Sequence, residues 1–243
     1  MATAAPNRSA QTARRSQPAR LAAGALLLLV LLNLSYLALA RPFATALATA
    51  PALIGGRVLA TAPLAGTRAA VITTNNRLLL LDNAEPVREI SLDKTLSALT
   101  ASPDGRLVAV GTSERALIVY DAELAEQRRL EVNGRVVGLV IANDGSLIVG
   151  HAVGQFTGRV WLSSFDATGA ARAREQIGVD ILSLSRLGDG AAVATVDGRV
   201  AAVGLDGASR WALQLPQPAV LLREASDEAL FAGDERGSVS RID

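Results

Sequence analysis

Few side chains in this sequence could carry chemistry, and the single histidine, His151, is the first to consider. The chain has no cysteine, which excludes disulfides, thiolate metal sites, iron–sulfur clusters and a cysteine nucleophile. One histidine also excludes any site that needs two. A lone histidine without a positioned partner supports neither metal binding nor general-base catalysis, so the sequence predicts no catalytic residue and no metal site.

His151 begins the longest predicted connection between two strands, which runs to Arg159. We interpret His151, Gln155 and Phe156 as part of a partner-binding loop. The alternative is a surface loop that carries one histidine without a function. The sequence leaves both interpretations open.

Aspartates recur once per repeat at tight turns, and we interpret them as turn formers. Glycine accepts positive φ, and an aspartate can bond the backbone of its own turn. Residues spread one per repeat cannot converge on one ion, and no Asp-x-Asp-x-Asp loop is present. The sequence also lacks a Gly-x-Ser-x-Gly elbow and a Walker loop, so no cofactor is predicted. The predicted structural turn residues are Asp104, Gly105, Asp144, Gly145, Asp189 and Gly190.

The charge balance argues against a nucleic-acid partner. The 243 residues include 24 basic and 23 acidic ones, which gives a net charge of +1. Four arginines and no acidic residue precede residue 41, so the remainder carries 20 basic against 23 acidic residues, about −3. That part lacks the positive field that phosphate binding requires. The turn cluster Asp234-Glu235-Arg236 could form a polar rim for a partner, or it is a solvated hairpin turn.

The N-terminal residues predict a membrane anchor. Residues 1–20 form a basic tail without acidic residues, and residues 21–40 are uncharged, with 17 apolar side chains among 20. A helix of that length spans the hydrocarbon core, about 30 Å thick. The arginines before the segment predict a cytoplasmic N-terminus in the inner membrane and an extracytoplasmic C-terminal part. A signal peptide cleaved after Ala38-Leu39-Ala40 is the alternative, although its apolar core would be unusually long.

The rest of the chain repeats with a period near 40. The turn aspartates Asp104, Asp144, Asp189 and Asp227 lie 40, 45 and 38 residues apart. A second series of aspartates follows directly after apolar runs, at Asp82, Asp121, Asp166, Asp206 and Asp243. Two markers with one period indicate a repeat architecture.

Each repeat contains short strands. In the second repeat we predict strands near Leu96–Ala101, Arg106–Gly111, Ala116–Tyr120 and Gln127–Val132, and the middle two are apolar on both faces. Strands covered on both faces have this pattern. The sequence therefore predicts an all-β fold, a β-propeller of about five four-stranded blades over residues 57–243, preceded by one transmembrane helix.

Two runs carry a family resemblance. Residues 102–111, Ser-Pro-Asp-Gly-Arg-Leu-Val-Ala-Val-Gly, followed by Leu-Ile-Val-Tyr-Asp at 117–121, resemble bacterial WD-repeat propellers, with Tyr120 where that family usually has tryptophan. Residues 196–211 resemble the PQQ-like repeat of quinoprotein-like propellers, with Trp211 at the repeat's tryptophan. The resemblance implies that the loop from His151 lies on the face these propellers use for binding.

The blade count departs from the families that the chain resembles. Four blades are complete, and a fifth stops at Asp243 after its third strand. Residues 41–56 are a linker, or the stretch 44–54 supplies the missing strand and closes the ring. Alternatively, the chain is a truncated relative of a larger propeller, such as one associated with a transporter permease.

We expect a non-catalytic function. Quinoprotein enzymes use eight blades, a calcium ion, a catalytic carboxylate and often vicinal cysteines, which a cysteine-free chain of five blades does not match. The sequence favours a membrane-anchored interaction scaffold or accessory subunit, with the bilayer contacted by residues 21–40 and a protein as partner. The competing function is a small-ligand sensor or enzyme that uses the central channel. It needs polar residues on the innermost strands, whereas Leu96–Ala101, Val136–Ala142 and Ile181–Leu187 are mostly apolar or serine.

Overall fold

The structure is a computed structural model that describes residues 55–153, 159–178 and 180–243. Within these ranges the chain forms 19 β-strands in five antiparallel sheets. None of the described residues belongs to a helix with the length and apolarity to cross a bilayer. The predicted tail 1–20, the membrane helix 21–40 and the closing stretch 44–54 lie outside the described residues.

Each sheet is a meander whose strands pair in chain order. Sheet 1 contains β1 (Val58–Pro63), β2 (Arg68–Thr73), β3 (Arg77–Asp82) and β4 (Glu85–Ser91). Sheet 2 contains β5 (Leu96–Ala101), β6 (Leu107–Thr112), β7 (Ala116–Asp121) and β8 (Glu126–Glu131). Sheet 3 contains β9 (Arg135–Ile141), β10 (Leu147–Val153), β11 (Arg159–Phe165) and β12 (Ala171–Gly178). Sheet 4 contains β13 (Ile181–Leu187), β14 (Gly190–Thr195), β15 (Arg199–Gly204) and β16 (Ser209–Gln214). Sheet 5 contains β17 (Ala219–Ser226), β18 (Ala229–Asp234) and β19 (Val239–Ile242).

The strands predicted for the second repeat are confirmed to within about one residue at each end. The five sheets repeat at the predicted period, with four strands in the first four and three described strands in the fifth. The last strand of each sheet leads directly to the first strand of the next, and these first strands contact one another in series. We call the first strands, β1, β5, β9, β13 and β17, the innermost strands.

Four apolar clusters hold successive sheets together, one at each of the interfaces from sheet 1 to sheet 5. The middle strands contribute to two clusters at once. Val108 and Val110 of β6 pack toward sheet 1, and Ala109 between them packs toward sheet 3. Because alternate side chains of a strand point to opposite faces, a sheet between two others needs apolar residues at every position. This explains the continuous apolar runs in the sequence.

Every innermost strand has a β-bulge at the same place. The pairing with the second strand shifts by one residue close to the start of each innermost strand. A bulge leaves one residue outside the ladder and changes the direction of its side chain. The bulged residues are Leu59, Ser97, Val137, Leu182 and Val220.

Candidate functional site

His151 lies within strand β10, and the structure corrects its predicted place in a loop. The side chain is only 1% exposed, and the residue pairs with Trp161 of β11 and with Val136 of β9. The hairpin is longer than the sequence predicted, because two more pairs, ending at Val153 and Arg159, follow His151. Gln155 and Phe156, the other residues of the predicted binding loop, lie outside the described residues.

The register shows what His151 replaces. In sheets 1, 2 and 4, the equivalent position at the end of the second strand is a buried threonine: Thr73, Thr112 and Thr195. Thr112 Oγ1 accepts a bond of 2.9 Å from the Ala116 amide and so fastens the following turn. Sheet 3 has a longer hairpin here, and His151 Nε2 lies 2.9 Å from Ser163 Oγ instead.

A serine and a histidine at hydrogen-bond distance have the geometry of a nucleophile and its base. Here both side chains are buried, with Ser163 only 6% exposed, so no substrate reaches the hydroxyl in this structure. Burial is the main cause that lowers the pKa of His151, and the positive charge of Arg174 lowers it further, against a smaller opposing effect of the Asn133 backbone. The imidazole is therefore neutral at pH 7 and has the environment of a core residue.

The aspartate turns of sheets 2 and 3 form as predicted. Asp104 Oδ1 accepts bonds from Ser102 Oγ at 2.6 Å and from the Arg106 amide at 3.1 Å. The Ser102 bond is the main cause that lowers the pKa of Asp104. Gly105 has φ of 67°, and a Cβ there would lie 2.2 Å from the Ala65 amide nitrogen of sheet 1. This turn therefore requires glycine both for its conformation and for the close approach.

The next two predicted turns differ from each other. Asp144 accepts bonds from the amide and hydroxyl of Ser146, and Gly145 has φ of 87°. In the turn between β13 and β14 of sheet 4, the residue with positive φ is Gly188, at 53°. Asp189 occupies the turn beside it but makes no bond to the turn backbone among the described residues, and Gly190 already belongs to β14. The prediction of Gly190 as a turn residue is therefore wrong, because the turn ends at Asp189 and Gly190 is the first residue of β14.

A cavity of about 610 Å³ lies between the innermost strands of all five sheets. It opens at the end of these strands, where the aspartate turns lie, and we call this end the turn face. Polar side chains line it, whereas the sequence predicted mainly apolar residues and serine on the innermost strands. Among them are Thr61, Thr100, Ser185, Arg186, Arg223 and Glu224.

Two arginines in this cavity keep unused donors. Arg186 donates only Nε, to the Gly188 carbonyl at 3.0 Å, and Glu224 accepts from the Gly188 amide at 3.0 Å. The Arg223 guanidinium makes no hydrogen bond or ion pair within the part of the chain that the structure describes. The cavity can therefore offer guanidinium donors to an anionic group.

The opposite ends of the innermost strands form a second surface. Here the innermost strands begin, the bulged residues lie, and the second strands turn into the third; we call this end the bulge face. Four of the five bulged residues are apolar, and Leu59 and Leu182 are 43% and 38% exposed. The last pair of β10 and β11, between Val153 and Arg159, also lies on this face.

Comparison with known proteins supports the fold. No protein-family model and no curated protein sequence matches the chain. Among solved structures, BamB from Moraxella catarrhalis is 17% identical with a TM-score of 0.59, over 76% of this chain and 60% of BamB. BBS1N, in a crystal structure with ARL6DN, is 16% identical with a TM-score of 0.59, over 72% of this chain and 60% of BBS1N. The fold is a β-propeller. The match covers about three fifths of the length of each of these propellers.

The apolar residues of the bulge face could not be identified from the sequence. Leu182 and Val196 stand next to strand ends and read as ordinary core residues, because a bulge has no signature in a single sequence. Alignment of the five repeats would have given a signal, since the position of Val196 is Thr74 in sheet 1 and Ser113 in sheet 2.

Proposed function

We propose that this propeller is a non-catalytic protein-interaction scaffold or accessory subunit of a membrane complex, built from WD-like and PQQ-like repeats. A helix over residues 21–40 would hold it at the inner membrane, with the tail 1–20 in the cytoplasm and residues 57–243 on the extracytoplasmic side. The charge distribution of the N-terminal residues supports this orientation.

The observation that carries the proposal is the exposed apolar surface of the bulge face. Leu182 and Val196 are 38% and 40% exposed, and both line one pocket beside polar turns. Apolar side chains gathered at a concave site and bordered by polar residues are typical of protein-interaction sites. The four apolar clusters between the sheets give this surface a fixed frame.

Non-catalytic function is supported by the placement of the reactive side chains. Within the described ranges, the serine–histidine pair of Ser163 and His151 lies buried between β10 and β11. Among the residues that the structure describes, no three His, Asp or Glu side chains are grouped so that they could hold a metal ion.

Crosslinking in native membranes, followed by purification in mild detergent and mass spectrometry, tests the proposal. A membrane protein recovered in stoichiometric amounts with the chain is expected. Recovery of the chain alone as a monomer at native abundance would contradict a subunit role. Protease treatment of spheroplasts tests the orientation: digestion of the propeller without lysis is expected, and digestion only after lysis would reverse the orientation.

A second candidate function is binding of a small anionic ligand in the central channel, which the cavity with Arg186 and Arg223 favours. Calorimetric titration of the purified chain with citrate and with inorganic phosphate tests it. Binding that is lost in Arg186→Ala and Arg223→Ala would support a sensor. Equal heats for the wild type and both variants would argue against it.

A further inference from the structure

We infer that the pocket between sheets 4 and 5 on the bulge face binds an apolar side chain of a partner protein, within a segment that carries basic residues beside that side chain. This inference rests on the proposed scaffold function and names the surface and the chemistry of its partner. The proposed ligand of this pocket is a segment of a protein, and it is distinct from the small anionic ligand considered for the central cavity.

The pocket has apolar walls and a charged rim. Its volume is about 350 Å³, enough for one large side chain, and it lies where the start of β13 meets the connection into β17. The walls come from Leu182, Val196, Pro218 and Val220, and the rim comes from Gln217, Asp234, Glu235 and Arg236. Pockets that take one buried anchor side chain, surrounded by a polar rim, carry most of the free energy of many protein interfaces.

The apolar wall residue Val196 distinguishes sheet 4 from sheets 1, 2 and 5. At the first position after the second strand, sheets 1, 2 and 5 have the polar residues Thr74, Ser113 and Glu235, whereas sheet 4 has Val196. The side chain of Val196 makes no hydrogen bond to the turn. The side-chain hydrogen bonds of this turn run from Thr195 Oγ1 to Asp197 and to the Arg199 carbonyl. Covering an exposed valine and an exposed leucine with apolar atoms of a partner removes apolar surface from water and is favourable.

Acidic residues dominate the surroundings. Asp180 is exposed, and its carbonyl accepts from the Val196 amide at 3.0 Å, which places it beside the pocket. Asp197 follows Val196, and the hydrogen bond from Thr195 is the main cause that lowers its pKa, so it is ionised at neutral pH. Together with the rim acids, these two outnumber the nearby bases, Arg199 and Arg236.

This charge selects the class of partner. Negative side chains around an apolar pocket repel phosphate groups, which disfavours nucleic acid and anionic lipid surfaces. Lysine or arginine residues on either side of an apolar anchor complement the rim and direct the segment into the pocket. We therefore assign the pocket to a basic, apolar-centred protein segment.

A photo-crosslinking amino acid at position 196 of the full chain, in living cells, tests the inference. Position 113 is the matched control, because it is the equivalent place in sheet 2. A crosslink to a protein is expected at 196 and not at 113. The crosslinked peptide, identified by tandem mass spectrometry, is expected to contain an apolar residue with lysine or arginine within a few positions. A crosslink to lipid, to an acidic peptide, or equally from both positions would overturn the inference.

Charge substitutions give a second readout. Leu182→Asp and Val196→Asp change exposed side chains, so the denaturant midpoint is expected to stay at the wild-type value. Each is expected to reduce the partner that co-purifies from membranes by at least about tenfold, a typical loss for an interface anchor, while Ser113→Asp leaves it unchanged. If a partner co-purifies in wild-type amounts with both variants, the scaffold function stands and this pocket assignment fails. If no partner is recovered with the wild type, the proposed function itself fails.

Discussion

His151 Nε2 lies 2.9 Å from Ser163 Oγ, between two strands that are buried on both faces. The contact joins the only histidine of the chain to the core of sheet 3, at the position where sheets 1, 2 and 4 have a threonine. A titratable group in such a place couples the stability of the fold to pH.

The first prediction concerns this coupling. Because burial lowers the native pKa of His151 below the ordinary value of 6.5, the unfolded state binds more protons at mildly acidic pH. The free energy of unfolding is therefore expected to fall as pH decreases through 6.5 and to be fully retained above it. Urea unfolding of the purified chain between pH 5.5 and 8 measures this. His151→Gln is expected to flatten the dependence, and Ser163→Ala, which keeps the imidazole, to retain it. The same slope in His151→Gln would contradict the prediction.

The second prediction concerns the contact between sheets 2 and 3. A Cβ on Gly111 would lie 2.3 Å from the Val136 side chain, so Gly111→Ala is expected to lower the free energy of unfolding by about 1 to 3 kcal/mol. Gly233 is the equivalent residue of sheet 5, and there the nearest atom to a Cβ is 3.8 Å away. Gly233→Ala is expected to change stability by no more than about 0.5 kcal/mol. Equal effects of the two variants in chemical unfolding would refute the packing argument.

The third prediction compares two neighbouring arginines of β8. Arg128 donates to the backbone carbonyls of Gly145 and Ala167 and so links sheet 2 to sheet 3. Arg128→Ala is expected to cost about 2 to 3 kcal/mol, because two charged hydrogen bonds are lost and the carbonyl of the buried Gly145 remains unpaired. Arg129 pairs with Glu126 on the exposed face, and Arg129→Ala is expected to cost less than about 1 kcal/mol. Thermal and urea unfolding check the order, and an inverted order would be incompatible with the structure.

The fourth prediction compares two turn aspartates. Asp104→Ala removes the bonds from Ser102 Oγ and the Arg106 amide and is expected to destabilise the chain by about 1 kcal/mol. The pKa of Asp104 is lowered in the folded state, so its contribution is present at neutral pH and is lost as pH falls through that lowered pKa. Asp189→Ala removes a largely exposed carboxylate that bonds no turn amide among the described residues, and little change is expected. Unfolding midpoints at pH 7 and pH 3 distinguish the two.

The period and the strands could be predicted because both are local. The continuous apolar run in Leu107–Thr112 and the turn chemistry of Asp104-Gly105 depend only on neighbouring residues, and both are present in the structure. The place of His151 could not be predicted, since two extra cross-strand pairs decide it, and those depend on how long the neighbouring strand β11 continues.

The candidate site was predicted less well than the fold. The sequence left two interpretations of Asp234-Glu235-Arg236 open, a polar rim for a partner or a solvated hairpin turn, and these residues border a pocket. The apolar walls were not foreseen, because Leu182 and Val220 come together only through the packing of sheet 4 against sheet 5. The polar lining of the channel depends likewise on which side of β17 faces the axis, and that cannot be obtained from a single strand's pattern.

Most strand residues both pair with a neighbouring strand and present a side chain to a surface, whereas the bulged residue of each innermost strand only presents a side chain. Leu59, Ser97, Val137, Leu182 and Val220 stand outside the ladders, so a change at these positions leaves every cross-strand pair in place. One mouth of the propeller can therefore acquire a new chemical character without any cost to the pairing that holds the sheets. Substitutions at these five positions can therefore change which partner the bulge face binds while the strand pairing stays the same.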